Sequence, residues 1–153
     1  MLRLVAIGLM AMSLTSGADL PSKKYLNLAA VKKLVAVAEA EAEKQKVSVT
    51  ICIMDDSANI LFLQKGDTAS INTLEWAQRK ARHAALNGSP SKSAADSIKA
   101  GNVAALAFPS FFPNQGGLPI KVDGQLIGSI AISGGPSAVD EAIGQAAIDA
   151  LLK

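Results

Sequence analysis

The two residue types with the widest chemical range, histidine and cysteine, occur once each, as His83 and Cys52. One histidine and one cysteine cannot build a multi-histidine metal centre, a Cys-rich zinc site, or an HExxH or CxxCH motif, and a single cysteine excludes an intrachain disulfide framework. There is no GxSxG elbow, so any Ser-His-Asp triad would have to use His83. Gly116-Gly117 and Gly134-Gly135 lack the P-loop Lys-Ser/Thr and the GxGxxG spacing, so neither is a phosphate loop. Gly134-Gly135-Pro136 leads into a helix start, where free N–H groups favour an anion such as a carboxylate. A tight strand-to-helix turn needing glycine dihedrals is the better account of it. Asp56, Lys80 and Asp123 are further acid–base candidates, yet nothing in their spacing brings them together. Asp55-Asp56 reads as turn chemistry. Of Glu39, Glu41 and Glu43, only the outer pair lies on neighbouring helical turns, which describes a solvated face rather than a metal site.

One constellation has a defined geometry. At about 3.6 residues per turn, Trp76 and His83 are nearly superimposed on one side of a helix, with Lys80 and Asn87 close to the same line. Ile71, Leu74, Ala77 and Ala81 point the other way. The only Trp and the only His therefore share the face turned from the core, a face expected to meet another subunit or a planar ligand if it is not simply solvated. Arg79 and Arg82 flank it.

The elements that must position these residues follow from periodicity. Asn27 is an N-cap ahead of Leu28, Val31, Val35, Ala38 and Ala42 at helical spacing. Val47 to Met54 alternates as a strand, Asp55 to Asn59 turns, and Ile60 to Gln64 returns. A long helix is expected from Ser70 to Asn87, stopped at Gly88, and a shorter one from Ser91 to Ala100. Ala104 to Phe108 is expected as a short strand. Gly116 to Val122 and Gln125 to Ser133 flank Asp123-Gly124, a strong hairpin signal. Val139, Ala142, Ile143, Ala146, Ala147, Ala150 and Leu151 form the last helix, with Ser137 and Asp140 resembling a capping box. Five strands in hairpins plus helices predict an α/β (α+β) layered domain.

Composition sets the class. Half of the 153 residues are hydrophobic and 18% are charged, which excludes a disordered chain. The formal net charge of +2 with interspersed signs gives no nucleic-acid-binding stripe. Arg3, the apolar run Leu4 to Leu14 and the small residues Ser16-Gly17-Ala18 have the order of a secretory signal peptide cleaved after Ala18. The run is too short to span a membrane. The expected organisation is a signal peptide over 1–18 and one domain over 19–153, periplasmic or extracellular, with no membrane association after cleavage. Cys52, exported without a partner, is expected to be buried.

Gly116-Gly117-Leu118-Pro119-Ile120, Asp123-Gly124-Gln125-Leu126-Ile127-Gly128, Ile132-Ser133-Gly134-Gly135 and Asp140-Glu141 resemble the signature of the GlcG/HbpS family. Lys80-Ala81, Ala84-Ala85 and Gly88-Ser89-Pro90 are similar to its central segment, and the likeness spans nearly all of Asn27 to Leu152. Ala131 stands where that family usually has a further glycine. The resemblance implies a profilin-like three-layer α/β/α fold with a five-stranded antiparallel sheet and assembly into homo-oligomers. In several members, including the C-terminal domain of PduO-type proteins, it implies noncovalent haem. For such a haem, the residues of this chain offer His83 as the candidate iron ligand, with Trp76, Lys80, Arg79, Gly116 and Gly117 as candidate cofactor-binding residues. The alternative is a small-molecule enzyme or accessory subunit working in a pocket near the Gly116-Gly117 loop without haem. Fold does not choose between them.

Overall fold

The structure is a computed structural model that describes residues 18–153, so the expected signal peptide lies, but for Ala18, outside the described residues. Asn27 caps the first helix as its sequence requires: its side chain accepts the Ala30 N–H at 2.8 Å, and α1 runs Leu28–Lys44. Strands β1 (Thr50–Asp55) and β2 (Ile60–Lys65) form an antiparallel hairpin. Asp55 is a turn residue, its Oδ1 accepting the N–H groups of Ser57 and Asn59, each at 2.9 Å. Helix α2 (Thr73–Asn87) stops at Gly88, whose φ of 59° is the left-handed end signal read from the sequence. Helix α3 covers Ser91–Lys99. Strands β3 (Gly117–Val122) and β4 (Gln125–Ser133) are joined at Asp123-Gly124, and α4 runs Ser137–Leu152.

The sheet has four antiparallel strands in the order β2-β1-β4-β3, not the five expected. The missing one is Ala104 to Phe108, whose region forms a 3₁₀ turn at Val103–Ala107. Its backbone N–H groups bond locally, Ala105 to Asn102 O and Phe108 to Ala105 O. Only Ala105 is buried, while Val103, Leu106 and Phe108 are exposed. A short alanine-rich stretch satisfies its backbone within one turn and does not need a sheet edge.

Alternation along the strands divides the core between two helical layers. Ile51, Ile53, Ile130 and Ile132 point to the side of α1 and α4 and form the larger aliphatic core. Cys52, Met54 and Ala131 point to the other side and meet Ala77, Ala81 and Ala85 of α2. The alanines of α2 therefore hold the helix close to its own sheet, and Ser129 Oγ donates to the Ala81 carbonyl at 2.8 Å across that contact. Burial pushes the Cys52 thiol up to about 12, so it is a core side chain, as expected. Ahead of α1, Lys23 and Lys24 pair with Asp56 and Asp123, tying the chain's entry to both hairpin turns. Among the described residues, no helix is long and apolar enough to cross a membrane.

Ile130, fully buried and paired in register with Ile53 and Leu118, tests the larger core. Ile130→Ala is expected to lower the unfolding free energy by about 2–5 kcal/mol, measured by urea denaturation.

Candidate functional site

Lys80 departs most from its expected place. The helical projection puts it on the outer face with Trp76 and His83, yet it is only 1% exposed. Its side chain runs past the end of the sheet, where Nζ donates to the Ile132 carbonyl at 3.0 Å and to Asp140 Oδ2 at 3.0 Å. Asp140, equally buried, belongs to the first turn of α4, and its Oδ1 accepts the Gly135 N–H at 2.9 Å. The expected capping box therefore does not form. The residue before the helix is Pro136, no side chain caps it, and the Asp140 carboxylate turns to Gly135 and Lys80 instead. Burial pushes the Lys80 amine down and the Asp140 carboxyl up, each against the pull of its partner's charge. That is the pattern of an ion pair whose desolvation outweighs its attraction.

Gly116 and Gly117 are what lets Lys80 through. A Cβ on Gly117 would sit 2.4 Å from the Lys80 carbonyl oxygen, and one on Gly116 would sit 3.0 Å from Lys80 Nζ. Gly116 also has a φ of 120°. The glycine pair and the lysine, singled out separately in the sequence, form one contact.

His83 is also buried, at 2% exposure, beneath the chain's own segment after α3. Its Nδ1 lies 3.1 Å from the Ser110 carbonyl, 3.2 Å from the Phe112 N–H and 3.3 Å from the Asn87 amide. The Phe111 ring meets the imidazole edge-on at 5.5 Å. Nε2 is buried without a hydrogen-bond partner. The Phe112 N–H donates to Nδ1, so the neutral ring carries its proton on Nε2, where that N–H is stranded. Moving the proton to Nδ1, to donate to Ser110, frees the Nε2 lone pair and breaks the Phe112 bond. Burial pushes the imidazole below its ordinary value of 6.5, with the Ser110 contact pulling the other way. It is therefore neutral at physiological pH, the form that binds metals.

The remaining candidates divide between two hollows. Trp76, 40% exposed, lines a polar cavity of about 170 Å³ with Lys80 and Asp140 at its wall. Arg79 lies 4.4 Å over the Phe112 ring and, with Arg82, borders a depression of about 300 Å³ floored by Met54, Ala58 and Ile60. Asp56 and Asp123 are engaged at the hairpin turns, away from any of this. Among the described residues, no group of three or more His, Cys, Asp or Glu side chains could hold a metal ion. Sequence reasoning read Asp140, four residues after Gly134-Gly135-Pro136, as a capping residue and missed its pairing with Lys80. It also missed the Ser110–Asn114 cover, which has no local signal.

A four-stranded antiparallel sheet between helical layers, with a Gly-Gly strand entry clasping a buried lysine, defines the class. Residues 26–149 match the profile of the family described as "Haem degrading protein HbpS-like", and the chain belongs to that family. It is 31% identical to Protein GlcG of Escherichia coli (strain K12) over 112 residues, 73% of this chain and 84% of GlcG. The crystal structure of HbpS is similar at 27% identity and a TM-score of 0.78, over 90% of this chain and 97% of HbpS. That of PduOC in complex with haem is similar at 25% identity and a TM-score of 0.77, over 83% and 95%.

Two outcomes follow from the geometry. Lys80→Met or Asp140→Leu strands the other charge and is expected to cost about 3–5 kcal/mol, while the double variant loses less than the sum of the two, read from urea midpoints. For His83, the unfolded state takes up a proton near its ordinary value of 6.5 before the folded state does, so stability falls as pH drops through that value. Denaturation between about pH 7.5 and 5 should show this loss in the native protein and a flatter profile in His83→Gln.

Proposed function

We propose that the chain is an exported, homo-oligomeric protein that binds haem noncovalently, for its uptake, storage or sensing, in the periplasm or outside the cell. Membership of the HbpS-like family and similarity to PduOC, whose structure is a haem complex, support the ligand. Within this chain, the observation that carries it is the buried, unpartnered Nε2 of His83. A histidine ligates a metal through Nε2 when Nδ1 carries the proton and donates it. The Ser110 carbonyl, 3.1 Å from Nδ1, is the acceptor for that proton once the Phe112 N–H has left Nδ1.

The residues present suit the group. His83 would supply the axial nitrogen, Phe111 and Phe112 the apolar contact, and Arg79 and Arg82 the cations for the propionates. Lys80 is committed to Asp140, so it leaves the propionates to the arginines. Because the imidazole is buried and the Phe112 N–H occupies Nδ1, Phe111 and Phe112 have to shift for Nε2 to be reached, with Ser110 kept as the acceptor for Nδ1. Bound haem would bring an iron whose redox and ligand-exchange behaviour is set by its axial ligand and surroundings. Export rests on the order of charge, apolar run and small residues over 1–18. Assembly is supported by Val103, Leu106 and Phe108, which stand exposed within six residues of one another.

Titration of the purified protein with haemin is expected to give a saturable Soret shift at micromolar haemin, weakened by about tenfold or more in His83→Ala. No spectral change would overturn haem binding, and unchanged affinity in the variant would remove His83 as the ligand. Light scattering on the same sample should return a multiple of the chain mass; a monomer at tens of micromolar would overturn the assembly.

A further inference from the structure

The cavity beside Lys80 is separate from the His83 environment, and its chemistry is different. Its lining includes Trp76, Thr73, Asn114, Ser133, Lys80 and Asp140, brought together from α2, the end of β4, the start of α4 and the covering segment. An ammonium has three N–H groups. Two of those on Lys80 go to Ile132 O and Asp140 Oδ2, which leaves one without a hydrogen-bond partner, on a residue that lines the cavity. The Asp140 carboxylate, by contrast, is already occupied on both oxygens, by Lys80 and by the Gly135 N–H. The helix that begins beside it carries no side-chain cap, because Pro136 holds the N-cap place, so the first-turn N–H groups of Ser137 and Ala138 lack one. The surplus at this wall is therefore of donors, one of them on a side chain almost wholly withdrawn from water, where a charge-assisted hydrogen bond is strongest.

Size narrows the ligand further. An apolar cavity of about 150 Å³ takes up benzene, with six heavy atoms. The volume here is about 170 Å³. Trp76 provides one aromatic flank against the otherwise polar lining.

We infer that this cavity binds a small monocarboxylate of about six heavy atoms, its oxygens held by the free N–H of Lys80 and the first-turn amide of Ser137 and its apolar end lying against Trp76. This goes beyond the haem proposal and uses neither His83 nor the arginines. The pair Lys80–Asp140 then has a task besides joining two helices: Asp140 orients the ammonium, and its own charge is neutralised before the ligand arrives.

Trp76 is the only tryptophan, so its emission reports on the cavity directly. Isobutyrate, its uncharged isostere isobutyramide and the larger benzoate are the probes. The expected result is a saturable change in Trp76 emission with isobutyrate at millimolar concentration, at least tenfold weaker with isobutyramide and with benzoate (a difference of about 1.4 kcal/mol). Because Lys80→Met also removes half of a buried ion pair, amide NMR shifts of Gly135, Ser137 and Ala138 in the unaltered protein give a second readout, and Ser137→Phe blocks the cavity from its exposed rim. Isobutyrate should shift those amides, and Ser137→Phe should abolish the response while leaving the haemin titration unchanged. No saturable response to isobutyrate, an equal response to isobutyramide, or an undiminished response in Ser137→Phe would overturn the inference. Since haem is read at the Soret band and the carboxylate at Trp76, either can fail without the other.

Discussion

The buried ion pair between Lys80 and Asp140 is the constraint around which the rest of the molecule is arranged. Lys80 leaves a helix on one side of the sheet, and Asp140 sits at the start of a helix on the other. They meet at the end of β4, on the Ile132 carbonyl. Two charges withdrawn from water at this depth are expensive, and mutual attraction alone does not recover that cost. The surroundings supply the remainder through the Ile132 carbonyl for the ammonium and the Gly135 N–H for the carboxylate. Such an arrangement demands space, which is why the entry to β3 is Gly116-Gly117; at the turn into α4, Gly134 answers a different contact, its missing Cβ making room for the Ser48 carbonyl.

Around that pin, the two faces of the sheet are built differently. The α1 and α4 side is thick and aliphatic, with isoleucines from three strands. The α2 side is thin, alanine against alanine with Cys52 and Met54 between. A helix held so close to a sheet leaves its outer row of residues within reach of a crossing segment, and Ser110 to Asn114 provides one. That segment encloses His83, places Phe112 under Arg79 and lends Asn114 to the cavity beside Trp76. One stretch without regular secondary structure thus bounds both candidate sites.

The two sites suit different ligands for physical reasons. Around His83 there is an unpartnered nitrogen, aromatic neighbours and nearby exposed guanidinium groups, which suit a flat apolar ligand with an acidic edge. Beside Lys80 there is a small, polar, donor-rich enclosure, which suits a compact anion. Haem cannot enter a space of about 170 Å³, and a small acid would gain little from an imidazole closed in by phenylalanines. The Trp76–His83 line read from the helix is therefore real as geometry but split in use, with its two ends serving separate environments.

Short-range features were readable in the chain itself. Asn27 before a helix, Gly88 after one, Asp123-Gly124 between strands and the alternation from Ile51 to Met54 are all decided within a few residues, where capping, turn dihedrals and side-chain period act. The family signature was legible as a run of residue types, although its glycines answer contacts distant in sequence, Gly117 on Lys80, Gly128 on Met54 and Gly134 on Ser48. What only the tertiary structure decided involves partners distant in sequence. Lys80 meets Asp140 across sixty positions and His83 meets Ser110 across 27. Ala104 to Phe108 turns instead of extending because its backbone closes on itself within the turn, although β2 and β3 each leave a sheet edge unpaired. A helical projection states which way a side chain leaves its helix, and Lys80 and His83 do leave α2 away from its alanines. Whether water, another element or a ligand waits there depends on where the rest of the chain returns, which no local pattern encodes.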